Sequence, residues 1–161
     1  MSRNGYTGKA GQLAAMGELA WRGYNVALPE IDKGDDIFSV NDTTGTMLRI
    51  QVKTSIARRQ PRINASKYSF NVRGSAISVP QSPELHFVFA CRIELGFRFL
   101  VMSRDVLRNY VNSHNAGSPG ERAKEGRRFE IQIFDDGCAK CLPGIDWSSH
   151  LEDWATWPSL R

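Results

Sequence analysis

The feature that most constrains this chain is a pair of strand-like runs joined by a turn. The first run covers residues 37–40, the turn covers 41–45, and the second run covers 47–53. The turn contains Asn, Asp, Thr and Gly, which are residue types that favour tight backbone turns. If Val40 lies opposite Met47 in an antiparallel hairpin, then Asp36 lies opposite Gln51.

Alternation along the second run separates its polar side chains from its apolar ones. Arg49, Gln51 and Lys53 share one face, while the intervening positions are all apolar. A carboxylate from Asp36, a carboxamide from Gln51 and an ammonium group from Lys53 are therefore predicted to meet at one edge of a sheet. The same two groups, Asp36 and Lys53, would also fit a surface ion pair across a hairpin, which contributes little to stability.

Length and composition favour a globular chain. It has 161 residues, of which 41% are hydrophobic and 24% are charged, which suits one domain with a substantial core. No apolar run approaches the roughly 18 residues of a membrane helix, and the first residues lack the apolar segment of a secretory signal. We therefore expect no membrane association and a cytoplasmic location.

The charge distribution indicates a polyanionic partner. The formal net charge is +4 and the isoelectric point is about 9.1. Between residues 54 and 81 there are five basic side chains and no acidic one, and residues 122–128 form a second basic set. Such stretches suit nucleic acid, because each phosphate contact releases counterions. A solvated basic surface without a partner is the alternative interpretation.

Periodicity and turn residues predict the remaining elements. We expect helices over 7–21 and 104–111, the second capped by Ser103, and strands over 24–28, 67–72, 76–79, 85–91, 96–102 and 129–134. The tryptophan-rich tail is predicted to be a terminal helix that covers the core, with a nucleobase-stacking surface as the alternative. Cys138 and Cys141 have the spacing of half a zinc site, but no second close pair accompanies them.

The assembled pattern resembles the PD-(D/E)xK nuclease superfamily. The resemblance is carried by residues 8–24 and by two runs, Asp32-Lys33-Gly34-Asp35-Asp36-Ile37 and Arg49-Ile50-Gln51-Val52-Lys53-Thr54. More narrowly, the chain is similar to the small branch near archaeal Holliday-junction resolvases and to uncharacterised endonuclease-like proteins with an Ile-Gln-Val-Lys-Thr strand. The resemblance implies a single nuclease-like domain over residues 1–161. Its fold would be α/β and restriction-endonuclease-like, with a mixed central β-sheet flanked by helices.

The resemblance also assigns roles to four residues. Asp36 corresponds to the metal carboxylate and Lys53 to the catalytic lysine. Gln51 occupies the second acidic position, where its amide oxygen can ligate a metal, and Gln12 falls at the position of the helix glutamate. The implied cofactor is Mg²⁺ or Mn²⁺, because phosphodiester hydrolysis needs a divalent ion to polarise the phosphate and activate a water.

The implied function is metal-dependent hydrolysis of DNA phosphodiester bonds. Arg58, Arg59 and Arg62 follow the predicted active strand directly, where we expect them to contact the DNA backbone. Small resolvase-like enzymes usually work as dimers, so the resemblance implies a homodimer as well.

Two departures from the superfamily pattern leave other functions open. Gln51 and Gln12 both stand where acids are usual, which would weaken Mg²⁺ binding unless Asp35, Asp32 or Glu30 compensates. One alternative is therefore a catalytically inactive nuclease fold that binds nucleic acid. Another is a protein-interaction domain whose basic loops meet an acidic partner, and a steep salt dependence of DNA binding would count against it.

Overall fold

The computed structural model describes residues 3–31, 34–119 and 126–154. The described chain forms three α-helices and eleven strands, with short 3₁₀ turns at Pro61–Ile63 and Ser148–His150. The elements are α1 (Arg3–Trp21), β1 (Asn25–Ala27), β2 (Ile37–Val40), β3 (Met47–Ile56), β4 (Arg58–Gln60), β5 (Ala65–Arg73), α2 (Gly74–Ser78), β6 (Leu85–Ile93), β7 (Gly96–Ser103), α3 (Arg104–His114), β8 (Ser118–Pro119), β9 (Gly126–Phe134), β10 (Ala139–Cys141) and β11 (Ile145–Asp146).

The first sheet has five strands in the order β1-β2-β3-β6-β7. It is mixed, because β3 and β6 run parallel while every other neighbouring pair is antiparallel. Val40 pairs with Met47 and Ile37 pairs with Ile50, which confirms the predicted hairpin register. β3 lies at the centre of this sheet, and its backbone is hydrogen-bonded to β2 on one side and to β6 on the other.

A second sheet covers one face of the first. Its strands follow the order β11-β10-β9-β5-β4, and β8 pairs with the side of β9. The longest pairing joins β5 to β9 in antiparallel register from Ala65 opposite Phe134 to Arg73 opposite Gly126. This second layer was not predicted from the sequence, because its two main strands lie far apart in the chain.

Two apolar clusters fill the space on either side of the first sheet. On one side α1 places Ala15 and Leu19 against Ile50 and Val52 of β3. Between the sheets, Phe87 and Phe89 of β6 belong to a cluster that includes Phe70, Phe129 and Trp147, and all five of these aromatic side chains are almost completely buried. Burial of such side chains contributes about 1.5–3 kcal/mol each, so the two clusters stabilise the positions of β3 and β6 in the sheet.

Two of the predicted elements differ from the structure. Residues 76–78 of the segment predicted as a strand over 76–79 belong instead to the short helix α2, because a brief apolar run does not distinguish a strand from a helix. In the tail, the aromatic cover is confirmed, since Trp147 and Trp154 are buried. The structure shows a 3₁₀ turn there rather than a helix up to residue 154, and Trp157 lies outside the described residues.

The remaining predicted elements are confirmed. α1, β1, β5, β6, β7, α3 and β9 each overlap the segment predicted for them. Ser103 caps α3 as expected, because its Oγ accepts a hydrogen bond of 3.2 Å from the Val106 amide. Glu18 of α1 pairs with Arg22, just beyond the end of that helix, at 2.7 Å.

Candidate active site

Asp36 is held at the entrance to β2 by backbone contacts to β3. Its amide donates a hydrogen bond of 2.8 Å to the Ile50 carbonyl, and its carboxylate Oδ2 accepts one of 2.7 Å from the Val52 amide. These two bonds lie on either side of Gln51, so the carboxylate and the Gln51 carboxamide are brought together as the hairpin register predicts. The Val52 amide also fixes the orientation of the carboxylate, since ionised oxygens accept strongly from N–H groups.

The Gln51 side chain is buried and has one fixed orientation. Its Nε2 donates to the carbonyl of Gly34 at 2.5 Å, which directs Oε1 away from that carbonyl. Oε1 is buried and has no hydrogen-bond donor within the described part of the chain. A buried carbonyl oxygen without a donor costs free energy, so this atom is a candidate acceptor for a ligand's donor or for a cation.

Asp36, Gln51 and Lys53 line one cleft, which we call the Asp36 cleft. Its volume is about 280 Å³, and its lining includes Gly34, Asp36, Gln51, Lys53, Arg73 and Gln81. The Asp36 carboxylate and two side chains of β3, Gln51 and Lys53, form one wall. The opposite wall comes from the end of β5, from α2 and from the loop that leads to β6.

Two of these lining residues were not predicted as site residues. Arg73 is the last residue of β5 and is exposed, so it adds a second cation to the cleft beside Lys53. Gln81 precedes β6, and its Oε1 is buried without a donor within the described residues. The sequence marks Gln81 only as part of a proline-containing loop, and no local signal shows that this loop returns to β3.

Gln12 contacts the site from behind rather than from within the cleft. Its Nε2 donates to the backbone carbonyl of Asp36 at 2.5 Å, and its Oε1 accepts from Lys9 Nζ at 2.9 Å. Gln12 is not among the residues that line the Asp36 cleft. It therefore links α1 to the residue that bears the carboxylate, which makes it a positioning residue by its contacts.

Of the three acids that could compensate for the two glutamines, the two that the structure describes, Asp35 and Glu30, do not line the Asp36 cleft. Asp35 is buried and pairs with the Arg49 guanidinium through contacts of 3.1 and 2.6 Å. Its carboxylate is thus engaged in an ion pair outside the cleft. Glu30 is exposed in the loop after β1, and Asp32 lies outside the described residues.

The three predicted DNA contacts lie beyond the end of β3, away from the cleft. Arg58 follows Lys53 by five residues, which corresponds to about 16 Å of extended strand. Arg58 and Arg62 are exposed. The Arg59 guanidinium forms two hydrogen bonds of 2.6 Å to the Asp135 carboxylate, and these bonds raise the pKa of Arg59 and lower the pKa of Asp135. The three arginines therefore form a basic edge separate from the cleft.

A larger cavity of about 580 Å³ lies between α2, α3 and β9. Its two cationic residues are already engaged, since Arg127 Nη1 donates to three oxygens on residues 115–117 and Arg108 pairs with Asp105 at 3.2 Å. Among the described residues that line it, none carries a carboxylate. Its size therefore does not make it the better candidate, because it lacks the groups that phosphodiester chemistry needs.

The oxygen groups of the Asp36 cleft fit a hard divalent cation. Mg²⁺ and Mn²⁺ bind carboxylate and carbonyl oxygens. The cleft offers the Asp36 carboxylate and Gln51 Oε1, which accepts no hydrogen bond from the described residues. Within residues 3–31, 34–119 and 126–154, no group of three or more His, Cys, Asp or Glu side chains is placed to hold a metal. A cation in this cleft would therefore depend on carboxamide oxygens as well as on one carboxylate.

Comparison with solved structures gives the fold class. The chain is similar to a bacterial homing endonuclease, I-Ssp6803I, with a TM-score of 0.50 and 22% sequence identity, over 68% of this chain and 74% of that chain. No protein-family model and no curated protein sequence matches the chain. Among the described residues, no helix is long and apolar enough to cross a membrane. The predicted fold class is thus confirmed: an α/β protein with a mixed central sheet, similar to a nuclease fold.

Proposed function

We propose that this chain is a metal-dependent endonuclease of the PD-(D/E)xK type that hydrolyses DNA phosphodiester bonds. The observation that carries the proposal is the Asp36 cleft, where a carboxylate, a donor-less carboxamide oxygen and a lysine share one cavity. The similarity to a homing endonuclease supports it at the level of the fold. Function depends on the site rather than on the fold, so the residues of the cleft carry the argument.

Asp36 and Gln51 would hold Mg²⁺ or Mn²⁺ by their side-chain oxygens. When bound, the ion supplies charge stabilisation for the phosphate and lowers the pKa of a coordinated water. The Val52 amide keeps the Asp36 carboxylate facing β3, and the Gly34 carbonyl accepts a hydrogen bond from the Gln51 amide nitrogen, which leaves Gln51 Oε1 as the amide atom available to a ligand. Both oxygens are therefore oriented before any ligand arrives, which lowers the reorganisation that binding requires.

Lys53 and Arg73 provide the positive charge on which a phosphate would bind. Lys53 lies two residues after Gln51 on the same face of β3 and orients the attacking water beside the phosphorus. Arg73 lines the other side of the cleft and contacts a phosphate oxygen. Attack by the water would form a bond from its oxygen to phosphorus and break the bond from phosphorus to the leaving sugar oxygen. The proton lost by the water passes to solvent, the leaving oxygen takes up a proton from solvent, and the two cations offset the charge that develops on the phosphate.

The basic edge formed by Arg58, Arg59 and Arg62 would contact the DNA backbone outside the cleft. The five residues from Lys53 to Arg58 span at most about 18 Å of extended chain, which is the length of about five base pairs at about 3.4 Å each. Contacts there would position the duplex without reading its sequence. A homodimer stays a prediction that rests on the resemblance alone, and light scattering of the purified protein tests it.

A second candidate function is nucleic-acid binding without cleavage. The observation that favours it is that Asp36 supplies the one carboxylate among the described residues that line the cleft, since Gln12 lies behind Asp36 and Asp35 pairs with Arg49. This alternative predicts salt-sensitive DNA affinity with no hydrolysis in any divalent metal.

Cleavage assays separate the two functions. Plasmid and four-way-junction DNA are incubated with the wild type, Asp36→Ala and Lys53→Ala, each in Mg²⁺ or Mn²⁺, and binding is measured in the same samples. We expect metal-dependent cutting by the wild type alone, with each substitution lowering the rate at least about 100-fold. Cutting that survives both substitutions would refute the site, whereas binding without cutting would favour the second function.

A further inference from the structure

We infer that Gln81 supplies a further oxygen ligand to the cation of the Asp36 cleft, from the wall opposite β3. The inference rests on the proposed function, because it concerns the metal of that same site. Gln81 belongs to the loop that joins α2 to β6, and it is separate from the hairpin on which the nuclease resemblance depends. The cation would thus be held from two parts of the fold.

The first observation is that two unsatisfied oxygens belong to the same cavity. Gln51 and Gln81 both line the Asp36 cleft, and the Oε1 atom of each is buried without a hydrogen-bond donor in the part of the chain that the structure describes. Buried acceptors are nearly always paired in folded proteins. Two of them in one cleft therefore indicate a shared partner that this cavity is built to receive.

The chemistry of the lining identifies that partner as a hard cation. The Asp36 carboxylate and the two carboxamide oxygens are acceptors that a divalent cation would satisfy together, while Lys53 and Arg73, which also line the cleft, remain to bind the phosphate. Carboxylate and carbonyl oxygens are the ligands that Mg²⁺ and Mn²⁺ prefer. The cleft volume of about 280 Å³ greatly exceeds the ~15 Å³ that a single water needs, so a hydrated ion fits.

The loop that carries Gln81 is held at both ends by one buried side chain. Arg104, which is only 3% exposed, donates from Nη1 to the Ile77 carbonyl at 3.1 Å and from Nη2 to the Glu84 carboxylate at 3.3 Å. Between those two anchors, Pro80 and Pro83 restrict the backbone on either side of Gln81. The loop is thus fixed before any cation binds, as a ligand residue requires.

This arrangement accounts for the missing acids of the nuclease pattern. Gln12 lies behind Asp36 and contributes no oxygen to the cleft. Gln81 offers an oxygen to the cation from the opposite wall instead. The site would then combine one charged ligand with two neutral ones, which favours weak binding that substrate phosphate oxygens can complete.

Manganese binding without DNA tests this inference independently of cleavage. Mn²⁺ is titrated into the protein and the loss of the free-ion electron paramagnetic resonance signal is recorded for the wild type, Gln81→Leu, Gln81→Glu and Asp36→Ala. Gln132→Leu is the matched control, because Gln132 pairs with Gln60 on the second sheet, outside the cleft. Circular dichroism and urea unfolding verify that each variant is folded.

We expect Gln81→Leu to weaken Mn²⁺ binding by about 10-fold to 100-fold, with Gln132→Leu unchanged. Gln81→Glu should tighten binding, by about tenfold, because it adds a negative charge beside the cation. Equal Mn²⁺ affinity in the wild type and Gln81→Leu, with affinity lost in Asp36→Ala, would overturn this inference and leave the proposed function intact. Absence of Mn²⁺ binding to the wild type would overturn both.

Discussion

The approach of α1 to β3 gives the sharpest test of the fold around the site. Gly11 is buried where the helix crosses Thr54, the residue that follows Lys53. A Cβ atom built on Gly11 would lie 2.0 Å from Thr54 Oγ1, 2.7 Å from its Cγ2 and 2.9 Å from its Cβ. Rotation of the Thr54 side chain would move the first two atoms but not its Cβ. The substitution Gly11→Ala therefore forces the helix and the strand apart.

The size of the effect follows from two opposing contributions. Replacing a helix-interior glycine with alanine stabilises the folded state by up to about 1 kcal/mol. Overpacking a tight contact costs about 1–3 kcal/mol. At a contact of 2.0 Å the overpacking cost lies in the upper part of its range, about 2–3 kcal/mol, so we expect Gly11→Ala to lower the free energy of unfolding by about 1–2 kcal/mol in sum. Gly17→Ala is the matched control, because its Cβ would meet no heavy atom within 4 Å.

Urea unfolding of the two variants decides the point. Gly17→Ala should raise the free energy of unfolding by about 0.5–1 kcal/mol, so the two variants should move in opposite directions. Adding Thr54→Ala should recover part of the loss in Gly11→Ala, with a coupling energy of about 1 kcal/mol in a double-mutant cycle. If Gly11→Ala is as stable as Gly17→Ala, the close packing of α1 on β3 is refuted.

Two further predictions concern pH and salt. Burial lowers the pKa of His86 and of His150 in the folded protein. As the pH falls below about 6.5, the unfolded chain therefore binds more protons than the folded chain does. The stabilisation that the two neutral histidines contribute to the folded state is therefore complete above pH ~6.5 and is lost as the pH falls below it. The double variant His86→Gln/His150→Gln should show a weaker dependence of the free energy of unfolding on pH, measured by urea unfolding. An unchanged pH dependence would contradict this prediction. For DNA binding, the double variant Arg58→Ala/Arg62→Ala should reduce the slope of log binding constant against log salt concentration by about 2, measured by fluorescence anisotropy. Arg59→Ala should change this slope less, because the Arg59 guanidinium pairs with Asp135. An unaltered slope in the double variant would show that the basic edge does not contact DNA.

The hairpin at the centre of the site was predictable because its signals are local. Turn residues fix where the chain reverses, and the two-residue period then sets Val40 opposite Met47. That register alone brings Asp36 next to Gln51, and the same period places Lys53 on the polar face. The helix before the hairpin was predictable as well, since Ala15 and Leu19 recur at helical spacing and both are buried.

The second sheet and the opposite wall of the cleft could not be predicted in the same way. β5 pairs with β9 across a long stretch of chain, and no local pattern in either strand identifies its partner. The positions of Arg73 and Gln81 follow from that pairing and from Arg104, which joins α2 to α3. The sequence identified Gln12 through the family pattern, but only the structure shows that its amide contacts the Asp36 carbonyl.

The most direct test of the proposed nuclease compares Lys53→Met with Lys140→Met in plasmid cleavage with Mn²⁺. Both substitutions remove one ammonium group from a lysine, but Lys53 lines the Asp36 cleft whereas Lys140 is exposed on β10. We predict that the wild type and Lys140→Met cut at similar rates, and that Lys53→Met cuts at least about 100-fold more slowly while still binding DNA. Equal cutting by the two variants would contradict the proposal that the Asp36 cleft is the catalytic site.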